Sequence, residues 1–244
     1  DSHDNADYGG AIYLDYGAYI HNATLFNESA VFDGGGIYLN SSNTDLGPAI
    51  LQQLMLDNKV GVIDSKIVSC YAGHDGGAGY VYGNYGIVDN LTMIGNTAGN
   101  DGGAGYVFGN YGKLTNSHFI NNTAGNDGGA LLWEGVNGTI DYVTVINNKA
   151  SYNGGGIALD AASSKGTISI ANATFASNEA SHGGAIYCAD MFTNILDSNF
   201  ANDKADYGGG IYLDYGAYIH NATLFNEIAV YDGGGIYLNS SNTD

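Results

Sequence analysis

After each of nine Gly-Gly-(Ala/Gly) motifs the chain alternates with a period of two, the signature of a β-strand that buries one face. One column holds Ile12, Ile37, Gly79, Gly105, Leu131, Ile157, Ile186, Ile211 and Ile236. Two residues on stand Leu14, Leu39, Val81, Val107, Trp133, Leu159, Cys188, Leu213 and Leu238. Both columns are apolar or small throughout, which places them inward. Between them run Tyr13, Tyr38, Tyr80, Tyr106, Leu132, Ala158, Tyr187, Tyr212 and Tyr237. The next member of this column tolerates acids, as at Asp15, Glu134, Asp160 and Asp214, so this face is assigned to the outside. A second strand ends in the pattern apolar-x-x-Asn, at Asn96, Asn122, Asn148 and Asn178.

The glycine motifs begin at Gly9, Gly34, Gly76, Gly102, Gly128, Gly154, Gly183, Gly208 and Gly233, with spacings of 25, 42, 26, 26, 26, 29, 25 and 25 residues. Self-similarity at a fixed period marks a solenoid. The pattern predicts an all-β fold: a right-handed parallel β-helix of about nine coils with roughly 26 residues per coil, the hand following from the crossover rule for parallel strands. Residues 1–244 form one solenoid domain. The 42-residue spacing marks a loop insertion at about residues 40–56, which holds the only proline, Pro48. A longer period lies on top. Residues 6–45 recur at 205–244, an offset of 199, with 37 of 40 positions identical. Coils stacked about 4.8 Å apart bring the four asparagines into one column, where they form a ladder of amide hydrogen bonds.

Charge narrows the function. The chain carries 25 acidic residues against 6 basic ones, all lysine, for a net charge of −19. Nucleic acid and anionic membrane surfaces both require Lys and Arg, and are excluded as partners. No apolar run reaches the length of a transmembrane segment. Cys70 and Cys188 fall about four coils apart, too far for a disulfide, and are read as free core residues.

Several constellations have two readings. Asp75, Asp101 and Asp127 precede the glycine pair on three consecutive coils. Either they bind a column of cations such as Ca²⁺, or each accepts hydrogen bonds from its own turn. No cofactor is otherwise required. Nine Asn-x-Ser/Thr sequons occur; Asn22, Asn90, Asn172 and Asn221 share an outward column, and Asn137 joins them as a glycosylation candidate. The tyrosine column Tyr13, Tyr38, Tyr80, Tyr106, Tyr187, Tyr212 and Tyr237 suits surface glycans, a contact with another filament, or simple stacking within the sheet. Catalysis has little support. A polysaccharide lyase of this architecture uses an Arg or Lys base, and there is no arginine. The outward acids Glu134 and Asp160 are an isolated pair rather than a hydrolase site.

The motif pair Gly-Gly-Ala-Ile and Phe-x-x-Asn resembles the repeats of chlamydial polymorphic membrane proteins. It is also similar to adhesin-like surface proteins of methanogenic archaea, with strings such as Phe119 to Ala124 followed by Gly128-Gly129-Ala130. The resemblance covers nearly the whole chain except the insertion, and transfers no catalytic residue. It implies a β-helical stalk on a cell surface, with adhesion as its role. With the sequons and the duplicated block, the expectation is an extracellular structural and adhesive fibre or stalk, glycosylated, and partnered by copies of itself end to end or in a covalent array. A glycan-binding or polysaccharide-cleaving β-helix is the alternative.

Overall fold

A computed structural model describes residues 5–15, 19–40, 61–161 and 166–239. One turn is typified by the strands Gly79–Tyr82, Ile87–Asp89, Thr92–Ile94 and Thr97–Ala98, each followed by a tight corner. Each pairs in parallel with its equivalent 26 residues on, as Gly79↔Gly105, Ile87↔Lys113, Thr92↔His118 and Thr97↔Thr123. Repetition builds long parallel sheets. Sheet 1 has nine strands, from Ile12–Asp15 to Ile236–Leu238. Sheet 2 has eight, from Tyr19–His21 to Gly216–His220, and sheet 3 has eight, from Thr24–Phe26 to Thr223–Phe225. Short strands from Asn5–Ala6 to Lys149–Ala150 form sheet 4, and bridges at Glu179 carry it on to Lys204–Tyr207 and Ile228–Asp232. The architecture is an all-β parallel β-solenoid of about eight turns of roughly 26 residues. The nine glycine motifs supply nine strands to sheet 1 around those turns. Apart from Asn40, the insertion lies outside the described residues.

The inward columns form one continuous core. Ile157, Leu159, Ile211 and Leu213 are buried in it, whereas Ile12 and Leu14, on the first strand of sheet 1, are only partly buried. Phe119, Phe175 and Phe200 enter from sheet 3, and the last two rings stack at 5.0 Å with planes 4° apart. Trp133 fills the centre and satisfies its indole N–H on the Gly109 carbonyl at 3.1 Å. Both cysteines are free and buried: Cys188 lies in the sheet 1 column and Cys70 at the sheet 3 corner.

The glycine pair has a separate reason for each member. Gly102 turns the corner with φ of 63°, which side chains with a Cβ resist. Gly103 lets the next coil approach: a Cβ there would lie 2.1 Å from the Gly129 carbonyl oxygen. Gly79 is different. It stands in the inward column, and a Cβ would meet nothing closer than the Ile37 carbonyl oxygen at 3.8 Å. Beside it lies an apolar cavity of about 30 Å³ bounded by Val81, Gly105, Phe119 and Trp133. Gly79→Ala is therefore expected to raise stability by about 0.5–1 kcal/mol, by stiffening the unfolded chain and filling space. Gly103→Ala should lower it by roughly 1–3 kcal/mol. Urea midpoints of the two variants check both signs; destabilisation by Gly79→Ala would contradict the packing described.

Candidate functional site

The most elaborate polar feature is buried at the corner after sheet 3. The backbone N–H and the Nδ2 amide of Asn96 both donate to Oδ1 of Asn122, each at 3.0 Å. Asn122 does the same to Asn148 at 2.9 Å, and Asn148 to Asn178 at 3.0 Å. Each amide also donates back to a carbonyl of the preceding coil: Asn122 to Met93 at 3.1 Å, Asn148 to Phe119 and Asn178 to Val145 at 3.0 Å. The four side chains are at most 1% exposed, so every one of these bonds replaces water. Cys70 occupies the same column before Asn96, and its backbone N–H donates to Asn96 Oδ1 at 2.9 Å. Burial pushes its thiol up to about 11.

After Asn178 the ladder changes chemistry. Asn178 donates its N–H and Nδ2 amide to Asp203 Oδ1, at 2.7 and 2.9 Å, and the Asp203 N–H donates to Glu227 Oε2 at 2.7 Å. Asp203 is fully buried, and its Oδ2 has no hydrogen-bond partner, nor does Oε1 of Glu227. By its place in the column, Oδ2 stands where an asparagine would offer a donor to a carbonyl one coil back. A protonated carboxyl can make that donation and a carboxylate cannot. Burial, with the nearby Glu227 charge adding to it, pushes the Asp203 carboxyl up to about 7, and burial also raises Glu227.

A second buried column escaped the sequence reading. At the corner between sheets 2 and 3, the Ser65, Ser117 and Ser198 hydroxyls accept the N–H of Ala23, Leu91 and Ala173 from the preceding coil, at 3.0 to 3.1 Å. Each donates to the carbonyl two residues before itself at 2.7 Å. In sequence these serines share their column with Leu91, Val143 and Ala173, so no polar pattern shows.

The cation candidates Asp75, Asp101 and Asp127 do lie along one edge, with Asp33 before them. Their oxygens are turned to amides of the following coil rather than of their own turn. Asp33 Oδ1 accepts from the Asp75 N–H at 3.2 Å, Asp75 from Asp101 at 3.1 Å, and Asp101 from Asp127 at 3.0 Å. Asp127 accepts from the Asn153 N–H at 3.0 Å. Asn100 braces two of them, donating to Asp75 Oδ1 and Asp101 Oδ2. Partial burial raises Asp33 and Asp127 and pushes Asp101 up to about 6. Among the described residues no three His, Cys, Asp or Glu side chains converge as a metal-holding group.

The tyrosine column turns away from the core, but its rings pack on one another. Tyr13 and Tyr38 stack at 5.1 Å with planes 3° apart, Tyr38 and Tyr80 likewise, and Tyr80 and Tyr106 at 4.8 Å and 7°. A second run joins Tyr187, Tyr212 and Tyr237 at 5.2 and 5.0 Å. Leu132 and Ala158 interrupt the column. Inside a run, ring faces lie on neighbouring rings, and edges and hydroxyls point outward. Exposure varies accordingly: Tyr13, on the first strand, is 50% exposed, whereas Tyr106 is 8% and Tyr212 9%. Tyr212 is on the outer face as assigned, yet buried there rather than open to solvent, with the His182 ring against it at 5.2 Å. Hydroxyls reach the acids, Tyr106 donating to Glu134 and Tyr187 to Asp214 at 2.8 Å. Glu134 and Asp160 are register neighbours on consecutive coils.

The sequon residues Asn22, Asn90, Asn137, Asn172 and Asn221 are all exposed and all take a left-handed backbone, with φ from 49° to 60°. Three have committed their amide: Asn90 donates to Asp64 at 2.6 Å, Asn172 to Asp141 at 2.8 Å and Asn221 to Asp197 at 2.7 Å. These bonds involve Nδ2, the atom a glycan would occupy.

The stacked sheets and buried ladder define a parallel β-helical repeat protein. Residues 172–189, which run from Asn172 through the ladder residue Asn178 to the strand Ile186–Ala189, match the family model of the Chlamydia polymorphic membrane protein repeat. The fold and this match together support the resemblance drawn from the Phe-x-x-Asn and Gly-Gly-Ala-Ile motifs. No curated protein and no solved structure matches the chain.

Two outcomes follow from the ladder. Asn122→Ala strands the Asn96 donors and the Met93 carbonyl in the interior, a loss on the order of 3 kcal/mol, which a urea midpoint measures. Asp203 titrates near 7 in the folded chain against 3.8 for a free side chain. The native state therefore holds more protons than the unfolded state between those values, and stability should fall as pH rises through that window. Asp203→Asn should raise stability at pH 8 and flatten the pH 5 to pH 8 difference; an unchanged profile would show that Asp203 is ionised in the fold.

Proposed function

We propose that this chain is a structural segment of an extracellular or cell-surface protein, a β-helical fibre or stalk that carries adhesive contacts and is glycosylated at its outward sequons. The observation that carries the reading is the repetition of one coil block. Ile37 and Leu39 lie under the coil that contributes Gly79 and Val81, and are 1% and 0% exposed. Their duplicates Ile236 and Leu238 stand in the same columns of sheet 1, 199 residues on. Duplication of this kind lengthens a stack without changing its columns. A block like this one, on the same polypeptide or a second copy, has the matching strand edge and apolar column. The columns of repeated polar and aromatic side chains supply structure over the full length, in keeping with a non-catalytic role. No described helix is long and apolar enough to cross a membrane. The cation reading of the Asp75, Asp101 and Asp127 edge belongs to the same proposal, as a brace on the stalk in calcium-containing medium.

Electron microscopy of the 244-residue chain, made in a host that glycosylates sequons, tests it. The expected object is a thin straight thread in which each chain adds eight to nine coils, an axial repeat of roughly 40 Å at ~4.8 Å per coil. A dispersed monomer at every concentration, with no thread, would overturn the fibre reading.

A further inference from the structure

We propose that the outward face of sheet 3 is the surface on which two copies of this chain pack side by side. The proposal rests on the fibre reading and specifies its lateral contact. In each strand of sheet 3 the middle residue points into the core and its two neighbours point out. One outward column is apolar, with Phe26, Val68, Ile94, Ile120 and Ile146 near one end and Phe225 at the other. Phe26 and Phe225, duplicates on widely separated coils, are 65% and 67% exposed. The other column holds Thr24, Thr92, Thr144 and Thr174, with Lys66 and His118 between them.

Neither column contains an Asp or Glu, in a chain with 25 acids and a net charge of −19. The carboxylates are elsewhere: Asp64, Asp89, Asp141 and Asp197 hold the corner before sheet 3, and Asp15, Glu134, Asp160 and Asp214 lie on sheet 1. Copies of so acidic a chain repel one another over most of their surface. Sheet 3 is the long face on which they can approach without opposing carboxylates, and it is also a continuous apolar strip. A partner that fills the grooves between successive side chains must share their ~4.8 Å spacing, as a second copy does. Sheets packed in this way lie about 10 Å apart with side chains interdigitated.

The size of the strip sets the strength. Eight strands at ~4.8 Å, three residues wide, cover roughly 400 Å² per partner, about half of what a stable interface buries on each side. One block therefore pairs weakly, and pairing becomes firm when blocks are stacked and their strips add. Lateral contact then follows thread formation.

Imaging of threads formed by the 244-residue chain and by its Ile94→Glu/Ile146→Glu variant is the test. Wild-type threads should run in pairs and the variant's singly, with thread length and circular dichroism unchanged. Wild-type threads that run singly would overturn the lateral contact while leaving the fibre reading intact. If no thread forms, the fibre reading fails, and the lateral contact is read from concentrated chain carrying Thr144→Cys, treated with a short bismaleimide. Cys70 and Cys188 are each 1% exposed and stay silent. A covalent dimer through Thr144→Cys, and not through Ser169→Cys on sheet 2, supports the face. Equal dimer yields from the two sites, or none, overturn it.

Discussion

The main-chain hydrogen bonds of this protein run along the stack, from one coil to the next, and everything else is built around keeping that register. Corners obey it as strictly as strands: the Gly76 N–H donates to the Asp101 carbonyl, Gly102 to Asp127 and Gly128 to Asn153, each at 2.8 to 2.9 Å. Within a strand, a slip of one residue would swap inward and outward side chains. Coils of 25, 26 and 29 residues nevertheless pair in one register, as Ile12↔Ile37, Gly79↔Gly105 and Ile157↔Ile186, because the differences in length fall in the corners. Constant register is thus the requirement of backbone satisfaction, and the core inherits its columns from it.

Three kinds of buried polar column follow from the same constraint. Where a corner leaves an N–H without a strand partner, a side-chain oxygen from an adjacent coil accepts it: asparagine after sheet 3 and serine between sheets 2 and 3, each from the next coil, and aspartate before the glycine pair, from the preceding one. The donors and acceptors repeat at the coil spacing, so one residue type can solve the problem on successive coils, as asparagine does from Asn96 to Asn178. Asp203 shows the limit of that economy. It fits the asparagine site in shape, but its unpartnered oxygen lies where a donor belongs. A proton there would restore the donor, and a carboxyl pushed up to about 7 by burial makes this part of the ladder responsive to pH, unlike the amides before it.

Surface chemistry is divided by face, because each sheet turns a different pair of columns outward. Sheet 1 bears stacked tyrosines and carboxylates, whereas sheet 3 bears threonine and branched apolar residues without an acid. The two faces suit different contacts, one edge-on and polar, the other flat and apolar. The corners between sheets 2 and 3 carry sequon asparagines already bound to aspartates.

The sequence by itself determined the fold. Nine glycine motifs, the period-two columns and the Phe-x-x-Asn corner recur at nearly constant separation, and repetition at one period admits only a stack. It also brought Asn96, Asn122, Asn148 and Asn178 into one column, because a ladder needs nothing beyond equal spacing. Other features needed the tertiary structure. The serine column hides among Leu91 and Val143, and its role appears only when the N–H it accepts is located a coil away. The aspartates face the following coil's amides, a choice set by side-chain direction that spacing leaves open. Tyr212 is buried by rings from neighbouring coils and by His182, none of which lies beside it in sequence. The raised titration of Asp203 depends on burial and on the charge of Glu227, both brought about by stacking. Periodicity tells which residues share a column; the environment of each column is made by the coils above and below it.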